Sequence, residues 1–368
     1  MTLDFAPIPS RVQPAVLAAL AKPPAQDLQA LAAKTADRLK EMFFPDAAVS
    51  AFFTCTREAL YEIALNSFVR GPVLVCANGA LSRQWELLAK ALNPETEVFE
   101  ADFDSALNET LLEKALENRS YDAVLLVEVE PLTGVRNDIQ SLAALIHQQL
   151  PDTLVIVDCS ASISSLAPLS MHGAADVVLF SSEISLGLPP GLGTIILNER
   201  ANFKSIGYGG QGWSLNYQKA AKEAQDSDFR GQLSYPLLYA LDKQLDLIFL
   251  EGLDNRIARI KTYAEKIRAW AAENQFVQYA AAEAQSPTVS VIRKSALFTI
   301  ENMSDFLTPY GIYLGKCADD LKDDAFIIAH MGQISERELD QLIEVLNKFM
   351  ADYDTLKHIP VVSKLPPQ

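Results

Sequence analysis

Short runs of almost continuous aliphatic residues, separated by helical patterns, constrain the fold of this chain more than any other feature of its sequence. Such runs occur at 49–54, 72–76, 123–127, 153–158 and 176–180, and segments with helical spacing of apolar residues lie between them. Strands that are apolar at successive positions are typical of a sheet that is buried on both faces. Their alternation with amphipathic helices predicts an α/β domain with a mainly parallel sheet.

The chain is long enough for a second unit beside this sheet. Its 368 residues exceed the length at which a single hydrophobic core usually stops growing. We expect an N-terminal segment over 1–20 that packs on the small domain, a large domain over 21–250, a small C-terminal α+β domain over 251–358 and a loose tail over 359–368. The Gly-rich and polar stretch 203–230 has no clear period and predicts an irregular surface loop.

Charge and hydropathy argue against nucleic-acid and membrane partners. The chain carries 31 basic and 47 acidic residues, and its net charge of −16 repels nucleic acid and anionic lipid. Its apolar runs are shorter than the ~18 to 20 residues that span a bilayer, and its first residues lack the pattern of a secretory signal. We therefore expect a cytoplasmic protein.

The cysteines and histidines indicate neither a metal site nor a disulfide framework. Cys55, Cys76, Cys159 and Cys317 are scattered without a CxxC pair, and the four histidines have neither HxxH nor HExxH spacing. Scattered cysteines in apolar contexts are typical of small core residues. No bound metal is expected.

Turns at the carboxyl ends of the predicted strands form the candidate ligand site. Ligands of open α/β sheets bind at this edge, so the turns after Thr54, Val127, Val157 and Phe180 can converge on one pocket. The turn at 55–58 joins a strand to a helix, and the free backbone N–H groups of such a helix start commonly hold phosphate.

A polar loop and a set of short motifs relate the chain to a known family. The loop at 181–193 reads Ser-Ser-Glu-Ile-Ser-Leu-Gly-Leu-Pro-Pro-Gly-Leu-Gly and connects two apolar strands. The other motifs are Asn-Gly at 78–79, Leu-Thr-Gly-Val at 132–135, Val-Asp at 157–158, Leu-Glu-Gly-Leu-Asp-Asn-Arg at 250–256 and Ala-His-Met-Gly at 329–332. In order and spacing they resemble the class V aminotransferases, the fold-type I pyridoxal-phosphate (PLP) family that includes phosphoserine and alanine–glyoxylate aminotransferases.

The resemblance implies an architecture and an assembly. It implies a three-layer large domain with a mainly parallel seven-stranded sheet, a smaller α+β C-terminal domain, and a homodimer with each pocket at the subunit interface. A small-molecule ligand in that interface cleft is therefore an expected partner.

The resemblance also implies that the residue carrying catalysis is missing. The family's lysine, which forms a Schiff base with PLP, corresponds to Ile184, and isoleucine has no amine. Asp158 corresponds to the aspartate that pairs with the pyridine nitrogen, although aspartate is also a common turn residue at a strand end. Thr56 and Arg57 align with the phosphate-binding turn. Glu58 in the same turn would oppose a phosphate by about 4 kcal/mol at ~4 Å and an effective dielectric of ~20.

Other positions of the family's pocket are altered as well. Thr133, Ser182 and Glu183 remain as polar candidates for a vestigial cofactor site. Leu81 stands where the family has an aromatic that stacks on the pyridine ring, and Ile327 stands where it has the arginine that binds the substrate carboxylate. Core filling alone also accounts for an isoleucine at 184 and 327, because burial of an isoleucine side chain stabilises a fold by about 1.5–3 kcal/mol.

Three functions stay open at this point. The first is a non-catalytic homologue without a cofactor, a pseudoenzyme with a binding, scaffolding or regulatory role. The second is an active PLP-dependent aminotransferase of a small amino acid and an oxo acid, which uses non-covalent PLP or another lysine such as Lys204 or Lys316. The third is a small-molecule binder, or an enzyme of different chemistry, that reuses the cleft. Its polar groups would come from Asp158, Glu183, Arg57, Glu58 and His330.

Overall fold

The computed structural model describes residues 3–23, 27–208, 212–226, 233–296, 298–318 and 321–357. The strands are β1 Leu3–Phe5, β2 Val49–Thr54, β3 Val73–Ala77, β4 Thr96–Glu100, β5 Ala123–Val127, β6 Val129–Glu130, β7 Val135–Arg136, β8 Leu154–Asp158, β9 Val177–Ser181, β10 Leu192–Leu197, β11 Val277–Gln278, β12 Val289–Arg293, β13 Ile312–Lys316 and β14 Ala325–Ala329. The α-helices are α1 Pro14–Leu20, α2 Leu28–Phe43, α3 Arg57–Phe68, α4 Ala80–Leu92, α5 Glu109–Leu116, α6 Ile139–Gln149, α7 Glu199–Tyr208, α8 Tyr217–Gln225, α9 Tyr235–Glu251, α10 Leu253–Glu273, α11 Ile300–Leu307 and α12 Glu336–Lys357.

A seven-stranded sheet forms the centre of the larger unit, which confirms the predicted α/β fold. Its strand order is β2-β10-β9-β8-β5-β3-β4. The five strands from β9 to β4 run parallel, while β10 is antiparallel to both of its neighbours. Every residue of β3, β5, β8 and β9 is buried, as their continuous aliphatic sequences require.

A second, smaller sheet has the order β1-β13-β14-β12-β11. Its apolar core includes Ile267 and Trp270 of α10 and Leu339 and Leu342 of α12. Strand β1 joins this sheet by pairing in parallel with β13, so the start of the chain and its C-terminal third share one sheet. The limits of the four expected parts stay predictions, and the expected tail at 359–368 lies outside the described residues.

The prediction of an irregular loop over 203–230 is wrong for the residues that the structure describes there. Most of that stretch is helical, in α7 and α8. The Asn216 side chain accepts a hydrogen bond from the Lys219 backbone N–H at 3.0 Å and so caps α8. Tyr217 is fully buried and packs on Phe68 with ring centroids 5.0 Å apart. One buried aromatic therefore anchors a short helix whose remaining residues are mostly polar.

Within the described ranges, no helix combines the length and apolarity needed to cross a membrane. The same residues contain no group of three or more His, Cys, Asp or Glu side chains that could hold a metal ion.

Candidate functional site

The loop between β9 and β10 is buried and fixed by hydrogen bonds. All residues from 182 to 188 are buried. The Ser10 backbone N–H donates to the Glu183 carbonyl at 2.8 Å, and the Ser10 hydroxyl donates to the Ile184 carbonyl. Inside the loop, the Ser182 hydroxyl donates to the Pro189 carbonyl at 2.7 Å. The N-terminal segment thus holds this loop against the sheet.

Ile184 is part of the hydrophobic core. Its side chain is fully buried and belongs to the same apolar cluster as Leu60, Leu81 and Ile327. Ile327 lies in β14 and is equally buried. The two isoleucines that the resemblance sets at the lysine and arginine positions therefore both contribute to packing, and the large and small units share this cluster.

Arg57 and Glu183 form a largely buried ion pair above the sheet edge. Arg57 Nη1 lies 3.2 Å from Glu183 Oε1, and the two side chains are 13% and 10% exposed. The guanidinium also donates to Gln84 Oε1 at 3.2 and 3.3 Å, and the Ser181 hydroxyl donates to Glu183 Oε1 at 3.0 Å. Both charges are thus paired and hydrogen-bonded, as buried charges must be.

Asp158 ends β8 and is held by two donors. Its Oδ1 accepts the Ser160 backbone N–H at 2.7 Å, and its Oδ2 accepts the Tyr61 hydroxyl. Burial raises the pKa of Asp158, whereas the hydrogen bonds from Ser160 and Tyr61 and the charge of Arg57 act to lower it. The structure therefore brings Asp158, Arg57 and Glu183 into one polar cluster.

Tyr61 and Trp85 complete this cluster, and sequence reasoning missed both. Tyr61 is fully buried, and its ring stacks on the Trp85 ring with centroids 4.1 Å apart and planes inclined by 21°. Burial raises the pKa of Tyr61 well above its ordinary value, so the phenol is a donor to Asp158. Tyr61 follows Arg57 by four residues on α3 and Trp85 follows Leu81 by four on α4, which is the spacing of one helix face. This four-residue spacing is the sequence signal that could have identified Tyr61 and Trp85.

A side-chain carboxylate of the protein binds the free N–H groups at the start of α4. One Glu130 carboxylate oxygen accepts the Leu81 backbone N–H at 2.9 Å and the other accepts the Ser82 N–H at 2.8 Å. Gly79 makes room for this side chain, because a Cβ atom there would lie 2.3 Å from Glu130 Cδ. A carboxylate thus satisfies the free N–H groups of this helix end.

The remaining predicted residues lie around the cluster rather than in it. Thr56 caps α3 by accepting the Ala59 N–H at 3.3 Å. The Glu58 side chain is 46% exposed and accepts from Gln84 at 2.8 Å, so it does not point into the buried cluster. Thr133 lines a cavity of about 230 Å³, together with Phe103 and Tyr279. Its buried hydroxyl has no hydrogen-bond partner among the described residues.

The two lysines considered as substitutes occupy different places. Lys204 Nζ lies 2.9 Å from Asp122 Oδ1, and Asp122 directly precedes β5, at the edge of the sheet opposite to Asp158. Lys316 is exposed at the end of β13. The Lys204 ammonium is therefore paired at the opposite edge of the large sheet from the cluster. Lys316 pairs with Phe326 in the smaller sheet and is exposed.

His330 is a structural residue of the smaller unit. It is fully buried, and its ring nitrogens lie 2.8 Å from the Pro287 carbonyl and 2.9 Å from the Ser290 hydroxyl. Burial, with the nearby charge of Arg268, lowers the pKa of His330 to about 3. The ring is neutral at physiological pH and its polar atoms are engaged, so it offers no acid or base to the cleft.

We expect acid to destabilise the protein partly through His330. The unfolded chain protonates this ring below about pH 6.5 and the folded chain only near pH 3, so stability falls as pH falls through that window. The slope is about 1.4 kcal/mol per pH unit for one group. Urea unfolding of wild type and His330→Gln between pH 7 and 4 gives the free energy of unfolding of each protein against pH. The difference between the two proteins should shrink as the pH falls. Parallel curves would contradict this assignment.

Solved structures share this fold. The chain superposes on alanine–glyoxylate aminotransferase from Nostoc sp. with a TM-score of 0.87 at 21% identity, covering 95% of each chain. It superposes on pyridoxamine–pyruvate aminotransferase from Mesorhizobium loti with a TM-score of 0.87 at 20% identity, covering 96% of this chain and 92% of the other. The fold is that of the fold-type I PLP-dependent aminotransferases.

Sequence comparison gives the family. The profile of the family described as aminotransferase class-V matches residues 52–316, and the chain belongs to that family. Serine–glyoxylate aminotransferase from Methylorubrum extorquens is 26% identical over 344 residues, which cover 90% of this chain and 86% of the relative. The enzyme of that name from Arabidopsis thaliana is 28% identical over 327 residues, which cover 85% and 80%.

These comparisons correct the expectation that the protein has no cofactor. The relatives and the structural neighbours are PLP-dependent aminotransferases, so that expectation is wrong: the family to which the chain belongs is a cofactor-using one. Whether this chain's own residues fit such a cofactor depends on the space around Asp158.

The side chains around Asp158 do not fit a PLP ring in the conformation described. The Tyr61 phenol already donates to the carboxylate, and its ring covers Trp85. Arg57 is bound to Glu183, and Glu130 holds the N–H groups at the start of α4. Ile184, which the resemblance sets at the lysine position, offers only an alkyl group. No catalytic step through the cofactor follows from these residues.

Proposed function

We propose that this class-V aminotransferase family protein has lost Schiff-base catalysis and acts by binding, in a scaffolding or regulatory role. The observation that carries the proposal is the fully buried Ile184, in a loop that the N-terminal segment holds in place. A side chain without an amine cannot start the covalent chemistry of a PLP enzyme. For another lysine of the chain to take the place of the family's lysine, its side chain would have to enter this packed loop.

A small-molecule ligand in the cleft would suit a binding role. The cavity of about 230 Å³ is lined by Phe103, Leu132, Tyr279 and Leu321, among others. Apolar walls with a few polar groups are typical of ligand sites, and the Thr133 hydroxyl, which has no partner among the described residues, is such a group. This volume suits a compound smaller than most drug-sized ligands.

The test is covalent trapping of PLP. We expect the purified protein, incubated with PLP, to show no stable Schiff-base absorbance, and borohydride reduction to leave no stoichiometric pyridoxyl group on any peptide by mass spectrometry. Lys316→Arg tests the exposed candidate lysine, and Lys348→Arg is the control for chance labelling of another exposed lysine. A stoichiometric adduct on one lysine, lost together with transamination in the matching Arg variant, would contradict the proposal and establish the active aminotransferase. Measurement of transamination between serine and glyoxylate completes the comparison.

A further inference from the structure

The cavity of about 230 Å³ lies between the large and small units. The large unit contributes the β6–β7 hairpin and the segment after β4, and the small unit contributes the segments after β11 and β13. Tyr61, Trp85 and Asp158 of the polar cluster do not line it, so a ligand there would contact other side chains. We call it the seam cavity, and its described lining includes Phe103, Leu132, Thr133, Tyr279, Ala318 and Leu321.

The Thr133 hydroxyl gives the seam cavity a buried polar group. Thr133 is 3% exposed, and its hydroxyl has no hydrogen-bond partner within the described ranges. The turn that carries it is fixed from both units, because the Gly134 N–H donates to the Glu130 carbonyl and the Ser286 N–H donates to the Gly134 carbonyl, each at 2.8 Å. A hydroxyl can donate and accept, and a buried one without a partner costs free energy. A ligand with a hydroxyl or carbonyl group would relieve that cost.

The rest of the lining is uncharged. No described residue of the cavity wall carries a charge at neutral pH. Leu132, Tyr279 and Leu321 pack against the apolar cluster that contains Ile184 and Ile327, so the wall continues into the hydrophobic core. A carboxylate moved into such surroundings loses its hydration without gaining a cation. The net charge of −16 opposes the approach of anions as well.

Two arginines contact rings of the cavity wall without lining the cavity. The guanidinium carbon of Arg83 lies 5.5 Å from the centre of the Phe103 ring, and that of Arg293 lies 4.9 Å from the centre of the Tyr279 ring. Arg83 is already paired with two carboxylates, and Arg293 is exposed to water. The first charge is therefore neutralised and the second is solvated, which leaves no cation committed to a bound anion.

We propose that the seam cavity binds compact, uncharged, mainly apolar compounds that carry one hydroxyl or carbonyl group, and that it rejects free amino acids and oxo acids. This ligand class rests on the proposed function, in which a small molecule fills the cleft. Thr133 bonds to the polar group of the ligand, and the apolar walls of both units surround the rest. Such a ligand contacts both units at once and so stabilises their arrangement.

Calorimetric titration with a matched pair of probes tests the ligand class. Cyclohexanecarboxamide and cyclohexanecarboxylate have nearly the same shape and differ in charge. We expect the amide to bind the purified protein at one site per chain, and the carboxylate to bind on the order of tenfold or more weakly. Serine and glyoxylate should not displace the amide. A carboxylate that binds as tightly as the amide, or a dissociation constant of the amide above about 10 mM, would overturn the proposal.

Two substitutions test whether the amide occupies the seam cavity. Thr133→Val keeps the shape of the side chain and removes the hydroxyl, so it should weaken amide binding about threefold to tenfold, the loss of one hydrogen bond. Ala318 is an exposed residue of the cavity wall, and Ala318→Phe should occupy the space and abolish binding. Ala272→Phe, at an exposed position of α10, is the matched control and should bind as wild type does. Amide binding that survives Ala318→Phe, or that is unchanged in Thr133→Val, would overturn the proposal.

The outcome is separate from that of the PLP test, because no amine of the protein takes part in it. If PLP forms a stoichiometric adduct and the protein still prefers the amide, the proposed loss of catalysis fails and the ligand class stands. If no adduct forms and the carboxylate binds as well as the amide, the loss of catalysis stands and the ligand class fails.

Discussion

Ile184→Lys should lower the free energy of unfolding by about 4–5 kcal/mol at pH 7, because a buried lysine whose pKa falls by about 3–5 units from about 10.4 carries that cost at this pH. The position is fully buried within an apolar cluster, and the loop around it is fixed by Ser10. A lysine there must either hold its charge without a partner or lose its proton. Urea unfolding at pH 7 measures the change.

Ile184→Met is the matched control for shape. Methionine is unbranched like lysine but uncharged, and such swaps usually cost under about 1.5 kcal/mol. The difference between the two variants in the free energy of unfolding isolates the effect of the charge. Because the folded-state pKa of the new lysine is depressed, the unfolded state binds more protons up to about pH 10.4, so stability rises with pH through that window. Above about pH 10.4 the two variants should have similar free energies of unfolding.

A lysine variant as stable as the methionine variant at pH 7 would contradict this expectation. It would mean that the loop still provides a polar or hydrated space for an amine next to Ile184. The proposed loss of Schiff-base chemistry would then depend on a single substitution rather than on a repacked core, and a lysine at 184 could return without cost.

The fold was predictable because its main determinant is local. Aliphatic runs such as those of β5 and β8 can only be buried on both faces, and the helical patterns between them supply the covering layers. The short helix α8 was not predictable in the same way. Its nine residues include one large apolar side chain, Tyr217, and a single anchor gives no period to recognise.

The site was predictable only as far as the sheet edge. That Asp158, Arg57 and Glu183 converge follows from their positions after strands that end at one edge. That Tyr61 reaches Asp158 does not follow, because it depends on how α3 is rotated about its axis and on the four-residue spacing from Arg57. Trp85 likewise lies four residues, about one helical turn, after Leu81, so an aromatic side chain is available one turn beyond the position at which the family has its own.

Arg57→Met should destabilise the protein by about 3–5 kcal/mol, the usual cost of removing one partner of a buried ion pair. Glu183 would lose its cation while its side chain remains 10% exposed, and Asp158 would lose a nearby positive charge. Gln84 would also lose the donor to its side-chain oxygen. Urea unfolding at pH 7 provides the measurement.

Arg119→Met is the control for loss of an arginine as such. Arg119 lies 3.1 Å from Glu97, but those side chains are 57% and 45% exposed, so the change should cost under about 1 kcal/mol. The double variant Arg57→Met/Glu183→Gln removes both charges and keeps an acceptor for Ser181. It should recover much of the lost stability, because the main penalty of the single variant is an unpaired buried carboxylate. If the two changes simply add, Arg57 stabilises the site by packing and by its bond to Gln84, and the ion pair contributes little.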